Sequence, residues 1–100
     1  MILFEWDEAK AQRNLRKHGV SFQLARFVFV DPLALTEQDF TTDEEDRWRT
    51  IGLVGAATIL FVAHTMEERG EDEVVRIVSA RRATPRERTR YEQDRKKHIS

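Results

Sequence analysis

Thr58-Ile59-Leu60-Phe61-Val62-Ala63 is an almost unbroken apolar run in a chain otherwise dense in charge. A half-exposed strand would alternate apolar and polar residues, so an unbroken run of this length describes a central strand covered on both faces. The strand is predicted to reach Thr65. Before it, Val54-Gly55-Ala56-Ala57 reads as the turn of a hairpin whose other arm is Arg47 to Leu53. After it, Glu67 to Asp72 is a charged turn containing Gly70, and Glu73 to Ala80 is a further strand. Leu33 to Glu37 is another strand, separated from the hairpin by the acidic loop Gln38 to Asp46.

Helices flank these strands. Ile2 to Trp6 is a short first strand, and Asp7 then caps Glu8 to His18, a segment rich in helix formers that stops at Gly19. Ser21 caps a second helix predicted over Phe22 to Phe29, with apolar residues at helical spacing, and Asp31-Pro32 ends it. Thr84-Pro85-Arg86-Glu87 is a capping box with proline at the first helical position, opening a last helix to about Lys97. Tyr91 is that helix's only large apolar residue before Ile99, so the helix either lies on the surface or docks through Tyr91 alone. The order β-α-α-β-β-β-β-α predicts an α+β fold: an antiparallel sheet with the two N-terminal helices on one face and a C-terminal helix.

The composition bounds what such a chain does. Its 100 residues are 40% apolar and 35% charged, with no cysteine. One compact domain over residues 1–100 is expected, held by its core without disulfides or thiolate–metal bonds. The apolar start Met1 to Phe4 stops at Glu5, short of a secretory segment, and Ile51 to Ala63 is too short for the roughly 20 residues a bilayer span needs. No membrane association and a cytoplasmic location are therefore expected. The net charge of −1 conceals segregation: residues 31–73 carry three basic groups against twelve carboxylates, and residues 74–100 carry nine basic groups against three. A basic end suits a polyanion such as nucleic acid and an acidic middle suits a basic partner, although a solvated, salt-bridged surface accounts for the pattern too.

Several strings then converge on one family. Phe4-Glu5-Trp6-Asp7 is followed by Lys10, Asn14 and Lys17-His18-Gly19-Val20-Ser21-Phe22. Asp31-Pro32, the stretch from Glu45-Asp46-Arg47 to Ile51-Gly52, Arg76 to Thr84, Arg86-Glu87-Arg88 and Tyr91-Glu92 complete the series. In order and spacing the chain resembles the BrnT toxins over about nine-tenths of its length. The resemblance implies a RelE-like fold, RNA cleavage, and a place in a type II toxin–antitoxin module. The implied partner is a BrnA-like ribbon-helix-helix antitoxin, and operator DNA would be reached only through it. Two departures stand out: Thr41-Thr42 where many such toxins carry a histidine, and Gly55-Ala56-Ala57 where many carry Gly-Arg.

RNA cleavage by the neighbouring 2′-hydroxyl needs a proton acceptor, a proton donor for the leaving 5′-oxygen, and cations on the pentacovalent phosphate. Proton transfer contributes about 10²–10⁴-fold, and fixed cationic donors often more. Arg81 and Arg82 are the first candidates for a phosphate clamp. They lie between a strand end and a capped helix, near the amides of Arg86 and Glu87, and guanidinium forks bind phosphate in bidentate fashion. A pair of surface arginines facing the acidic loop is the plainer alternative. Histidine is the side chain that titrates near neutrality, which puts His18, with Lys17 beside it, forward for proton transfer; both equally suit a helix C-terminus. Arg76, Arg86 and Arg88 are candidates for holding RNA. Tyr91 is a candidate for stacking on a base, set against docking its own helix. His64 reads as a packed strand residue. No metal or other cofactor is expected, since His18, His64 and His98 lack ligand spacing and neighbouring side chains in Asp43-Glu44-Glu45-Asp46 diverge. That run reads instead as a docking surface for a basic antitoxin segment, or as a solvated loop. Three functions stay open: an endoribonuclease, a co-repressor that binds antitoxin without cutting, and an RNA-binding module.

Overall fold

The computed structural model describes residues 1–44 and 46–99, apart from the side chains of His98 and Ile99. Five strands form one sheet: β1 (Ile2–Glu5), β2 (Leu35–Gln38), β3 (Trp48–Val54), β4 (Thr58–Arg69) and β5 (Asp72–Arg82), in the order β1-β5-β4-β3-β2. The helices are α1 (Glu8–His18), α2 (Phe22–Ala25) and α3 (Pro85–Ile99). The run Thr58–Ala63 lies in β4, the middle strand, as its apolar pattern requires. The antiparallel expectation holds for β2 through β5, whereas β1 pairs with β5 in parallel, Ile2 opposite Glu73 and Glu5 opposite Arg76. The three hairpin-linked strand pairs carry the chain back across the sheet to lie beside its own beginning.

The two faces of the sheet are covered differently. On one, Ala11, Val20, Phe22, Ala25 and Val28 pack with Leu60, Val62, Val75, Ile77 and Ala80. On the other, Tyr91 from α3 closes over Ile51 and Ile59, flanked by Leu53, Phe61 and Ala83. The predicted caps form. Asp7 accepts from the Lys10 amide at 3.1 Å, Gly19 takes a left-handed φ of 69°, and the Thr84 amide donates to Glu87 at 2.9 Å while the Glu87 amide donates to the Thr84 hydroxyl at 3.2 Å. The second predicted helix is shorter than its apolar spacing suggests: α2 gives way after one turn to a 3-10 helix, Arg26–Val30. The tighter winding seats Val28 against Gly52 of β3, where an added Cβ would lie 2.9 Å from Val28 Cβ. Only glycine permits that approach.

β5 also carries a bulge. Ala63 pairs with Ser79 but His64 pairs with Ile77, so Val78 has no partner across the ladder. The extra residue resets the alternation of the strand. Ala80 therefore enters the core beside α1, and Arg81 turns to the face that carries α3.

Candidate nucleic-acid interface

β5 separates two basic surfaces. On the face that carries α3, beyond the part that α3 covers, the register lays Arg49, Ala63 and Ser79 side by side across β3, β4 and β5, with Ile51, Phe61 and Arg81 in the neighbouring row. Thr65 and Arg76 pair farther along. Three arginines thus surround small residues on an open sheet. Arg76 is 48% exposed and its nearest carboxylate, Glu5, stands 3.8 Å away. Arg49 is held by Glu37 at 2.8 Å, and Arg90 of α3 holds the same carboxylate, which brings the Glu37 pKa down to about 2, the Arg90 hydrogen bond being the largest cause.

Arg81 is built into the site on two sides. Its guanidinium lies 4.1 Å above the Phe61 ring and donates in bidentate fashion to Glu87, at 2.8 and 3.0 Å. Burial works against the charge on Glu87, but the Arg81 fork and the Thr84 amide outweigh it and hold the carboxyl below its usual range. The carboxylate therefore occupies the fork where a phosphate would bind. The α3 N-terminus is also mostly committed: Pro85 has no N–H and the Glu87 amide serves Thr84, which leaves the Arg86 amide in the first turn. Arg82, Arg86 and Arg88 are exposed around this point.

Lys17 and His18 are elsewhere. They are exposed on α1 and line a groove with Lys10, Arg13, Asn14, Val78 and Ser79, on the opposite side of β5 from the Arg81 guanidinium. The sequence placed Lys17, His18 and Arg81 in one constellation; the bulge separates them. Arg82, opposite Leu60, faces the α1 side at the strand end. Tyr91 is corrected from a stacking candidate to a docking residue: its ring is 1% exposed and its hydroxyl donates to Asp31 at 2.5 Å, which leaves no face for a base. Asp43, Glu44 and Asp46 are exposed, and Glu45 lies outside the described residues. Beside them Phe40 stands 82% exposed. Arg49, Ser79, Lys10 and Arg13 were not among the site candidates from sequence, although Lys10, Arg13 and Lys17 recur at the i, i+3, i+7 spacing of one helix face.

His64 belongs to the core. Its ring packs edge-on to Phe29 at 4.9 Å between centroids, Nδ1 lies 3.3 Å from the Thr65 carbonyl, and Nε2 lies 2.8 Å from the Thr50 hydroxyl, itself 2.8 Å from Thr36. With Nδ1–H donating to the carbonyl, Nε2 accepts from Thr50, and the chain has one direction. Burial pushes the His64 pKa down to about 4, against the smaller opposing effect of the Thr65 bond. The folded pKa thus lies below the unfolded value near 6.5, so the unfolded state binds more protons between the two and stability falls on acidification. About 2 kcal/mol should be lost between pH 7 and 5, and about 3 by pH 4. Urea midpoints measured over this range should show the loss, and His64→Leu should flatten it; an unchanged pH profile in that variant would assign the loss to other groups.

Residues 6–87 match the family described as ribonuclease toxin, BrnT, of type II toxin–antitoxin systems. The chain belongs to the BrnT family. Its fold agrees with the crystal structure of the Brucella abortus ribonuclease toxin BrnT, at 28% identity and a TM-score of 0.62, over 84% of this chain and 97% of that one. Comparison with curated proteins gives no match. The BrnT family match takes in the open sheet face, the groove beside α1 and the Arg81–Glu87 pair, and ends before Tyr91. Among the described residues no three histidine or carboxylate side chains gather as metal ligands, and no helix is long and apolar enough to cross a membrane.

Proposed function

We propose that this BrnT-family protein is a metal-independent endoribonuclease whose cleavage centre is the open sheet face, with Arg81 and Arg76 on the scissile phosphate. The observation that carries this reading is the arrangement of Arg49, Arg76 and Arg81 around Ala63, Ser79 and Thr65 on a face that α3 leaves partly uncovered. In the reaction the 2′-oxygen bonds to phosphorus, the bond to the 5′-oxygen breaks, and the products are a 2′,3′-cyclic phosphate and a 5′-hydroxyl. The proton leaving the 2′-hydroxyl is balanced by the one gained at the 5′-oxygen. Guanidinium groups stabilise the extra negative charge between those events. Arg86 and Arg88 extend the basic surface toward the flanking backbone, whereas Arg82 lies at the strand end on the α1 side. Lys17 and His18, across β5, are left out of this centre.

In this reading the fold is RelE-like, the protein acts in the cytoplasm, and a BrnA-like ribbon-helix-helix antitoxin neutralises it. The acidic loop, with Asp43 and Glu44 beside exposed Phe40 and Asp46 exposed farther along, suits a basic antitoxin segment that buries one apolar side chain on the ring. Operator DNA is reached through the antitoxin. The test is to free the protein of antitoxin and incubate it with naked RNA, with and without EDTA. Products ending in cyclic phosphate under both conditions are expected. Failure to cut, with ribosomes as well as without, would overturn the reading in favour of a co-repressor.

A further inference from the structure

Helix α1 presents two different long faces. Glu8, Ala11, Gln12 and Leu15 turn toward Ser21, Phe22 and Gln23. Lys10, Arg13, Asn14, Lys17 and His18 turn toward Val78 and Ser79, across a groove of about 330 Å³. The groove exists because β1 covers the edge of β5 only as far as Arg76. Beyond it Asn14 takes the place of a neighbouring strand: its amide donates to the Ala80 carbonyl at 2.8 Å, its carbonyl oxygen accepts from the Ala80 amide at 3.1 Å, and it also donates to the Val20 carbonyl at 2.9 Å.

The cations above this floor are only partly engaged by the fold. Among the described residues neither Lys10, Arg13 nor Lys17 makes an ion pair; Asp7, the helix cap, attracts Lys10 and Arg13 through charge alone. Lys17 near the C-terminus of α1 complements the helix dipole, but Lys10 sits in the first turn, where a positive charge is unfavourable. The three groups span two turns, about 10 Å along the axis. No phenylalanine, tyrosine or tryptophan lines the groove and both amide hydrogens of Asn14 are engaged, so contacts from its cations to phosphate outweigh what the His18 ring and the Arg13 guanidinium offer a base.

We propose that this groove is a second RNA site, separate from the cleavage centre, in which Lys10, Arg13 and Lys17 hold the phosphates of a single strand without reading its sequence. It rests on the ribonuclease reading for the choice of RNA as the polyanion. Backbone contacts fix position and carry no sequence information, so the groove would hold a strand while the far side of β5 acts on it.

The test uses the full chain freed of antitoxin and a 2′-O-methyl oligoribonucleotide, which binds but has no nucleophile. Fluorescence anisotropy across a salt series should show affinity falling with salt. In Lys10→Gln/Arg13→Gln, which alters two exposed side chains, the dependence should become shallower by about 1.4 in log–log slope and affinity at low salt should drop about tenfold. Oligo-A and oligo-U should respond alike. An unchanged slope in the variant, with the melting temperature preserved, would overturn the proposal. So would retained RNA binding with loss of antitoxin binding, which would give the groove to the protein partner. A chain that fails to cut RNA with ribosomes as well as without, yet loses oligonucleotide affinity in this variant, would refute the ribonuclease reading and leave the groove standing.

Discussion

Arg81→Ala is expected to lower single-turnover RNA cleavage by about 10²–10³-fold, the usual loss when one preorganised donor to a developing oxyanion is removed. Stability should fall by far less. Its side chain is 34% exposed, so solvent screens the pair with Glu87, and the stacking on Phe61 adds a modest contribution; together they amount to about 1 kcal/mol after discounting for exposure. A second substitution tells the two roles apart. Glu87→Gln keeps a side chain that serves a capping box but removes the charge that competes for the guanidinium. If Arg81 acts on phosphate, Glu87→Gln should tighten RNA binding while Arg81→Ala weakens it. If the pair only fastens α3, both variants should loosen the protein alike and neither should favour RNA. Cleavage undiminished in Arg81→Ala would move the centre elsewhere on the basic surface.

That assignment could not have been made by counting along the sequence. Strict alternation from Ile77, which is in the core beside α1, puts Arg81 on the same side, next to Lys17 and His18. The unpaired Val78 shifts the phase by one and sends Arg81 to the face of α3. A bulge leaves little local trace in one sequence, because it is set by which residues of the neighbouring strand pair on either side. The same holds for the parallel pairing of β1 and β5, a contact between residues some seventy positions apart. What was legible was local or strongly patterned: the cap of α1 at Asp7, its stop at Gly19, the Thr84–Glu87 box, and the central strand from its apolar run. The second helix was legible in position but not in kind, since its winding answers to Gly52 on another strand. Lys10 and Arg13 were visible as charges. Their meaning depends on the uncovered edge of β5.

Tyr91→Ala is expected to cost about 3–5 kcal/mol, the range for removing a large buried ring, and to release α3. The rest of that helix is strongly charged, and Tyr91 is its one fully buried side chain among those described. The ring closes the cluster of Ile51 and Ile59, and the hydroxyl reaches Asp31. That carboxylate also accepts from the Leu53 amide at 2.8 Å and the Leu33 amide at 2.9 Å, so one acidic group fastens α3, β3 and the turn after the 3-10 helix. Burial raises the Tyr91 pKa to about 12, and the hydrogen bond and charge of Asp31 act in the same direction, keeping the hydroxyl protonated and donating. Tyr91→Phe removes that donor but leaves the two amides on Asp31, so its cost should be nearer 1–2 kcal/mol. Urea denaturation separates the two variants. Hydrogen exchange gives the mechanism: in Tyr91→Ala the amides of α3 should lose protection while those of β3, β4 and β5 keep it. Retained protection along α3 would mean that the Arg81–Glu87 and Arg90–Glu37 pairs hold the helix without its ring, and that the exposed ion pairs count for more here than their screening allows.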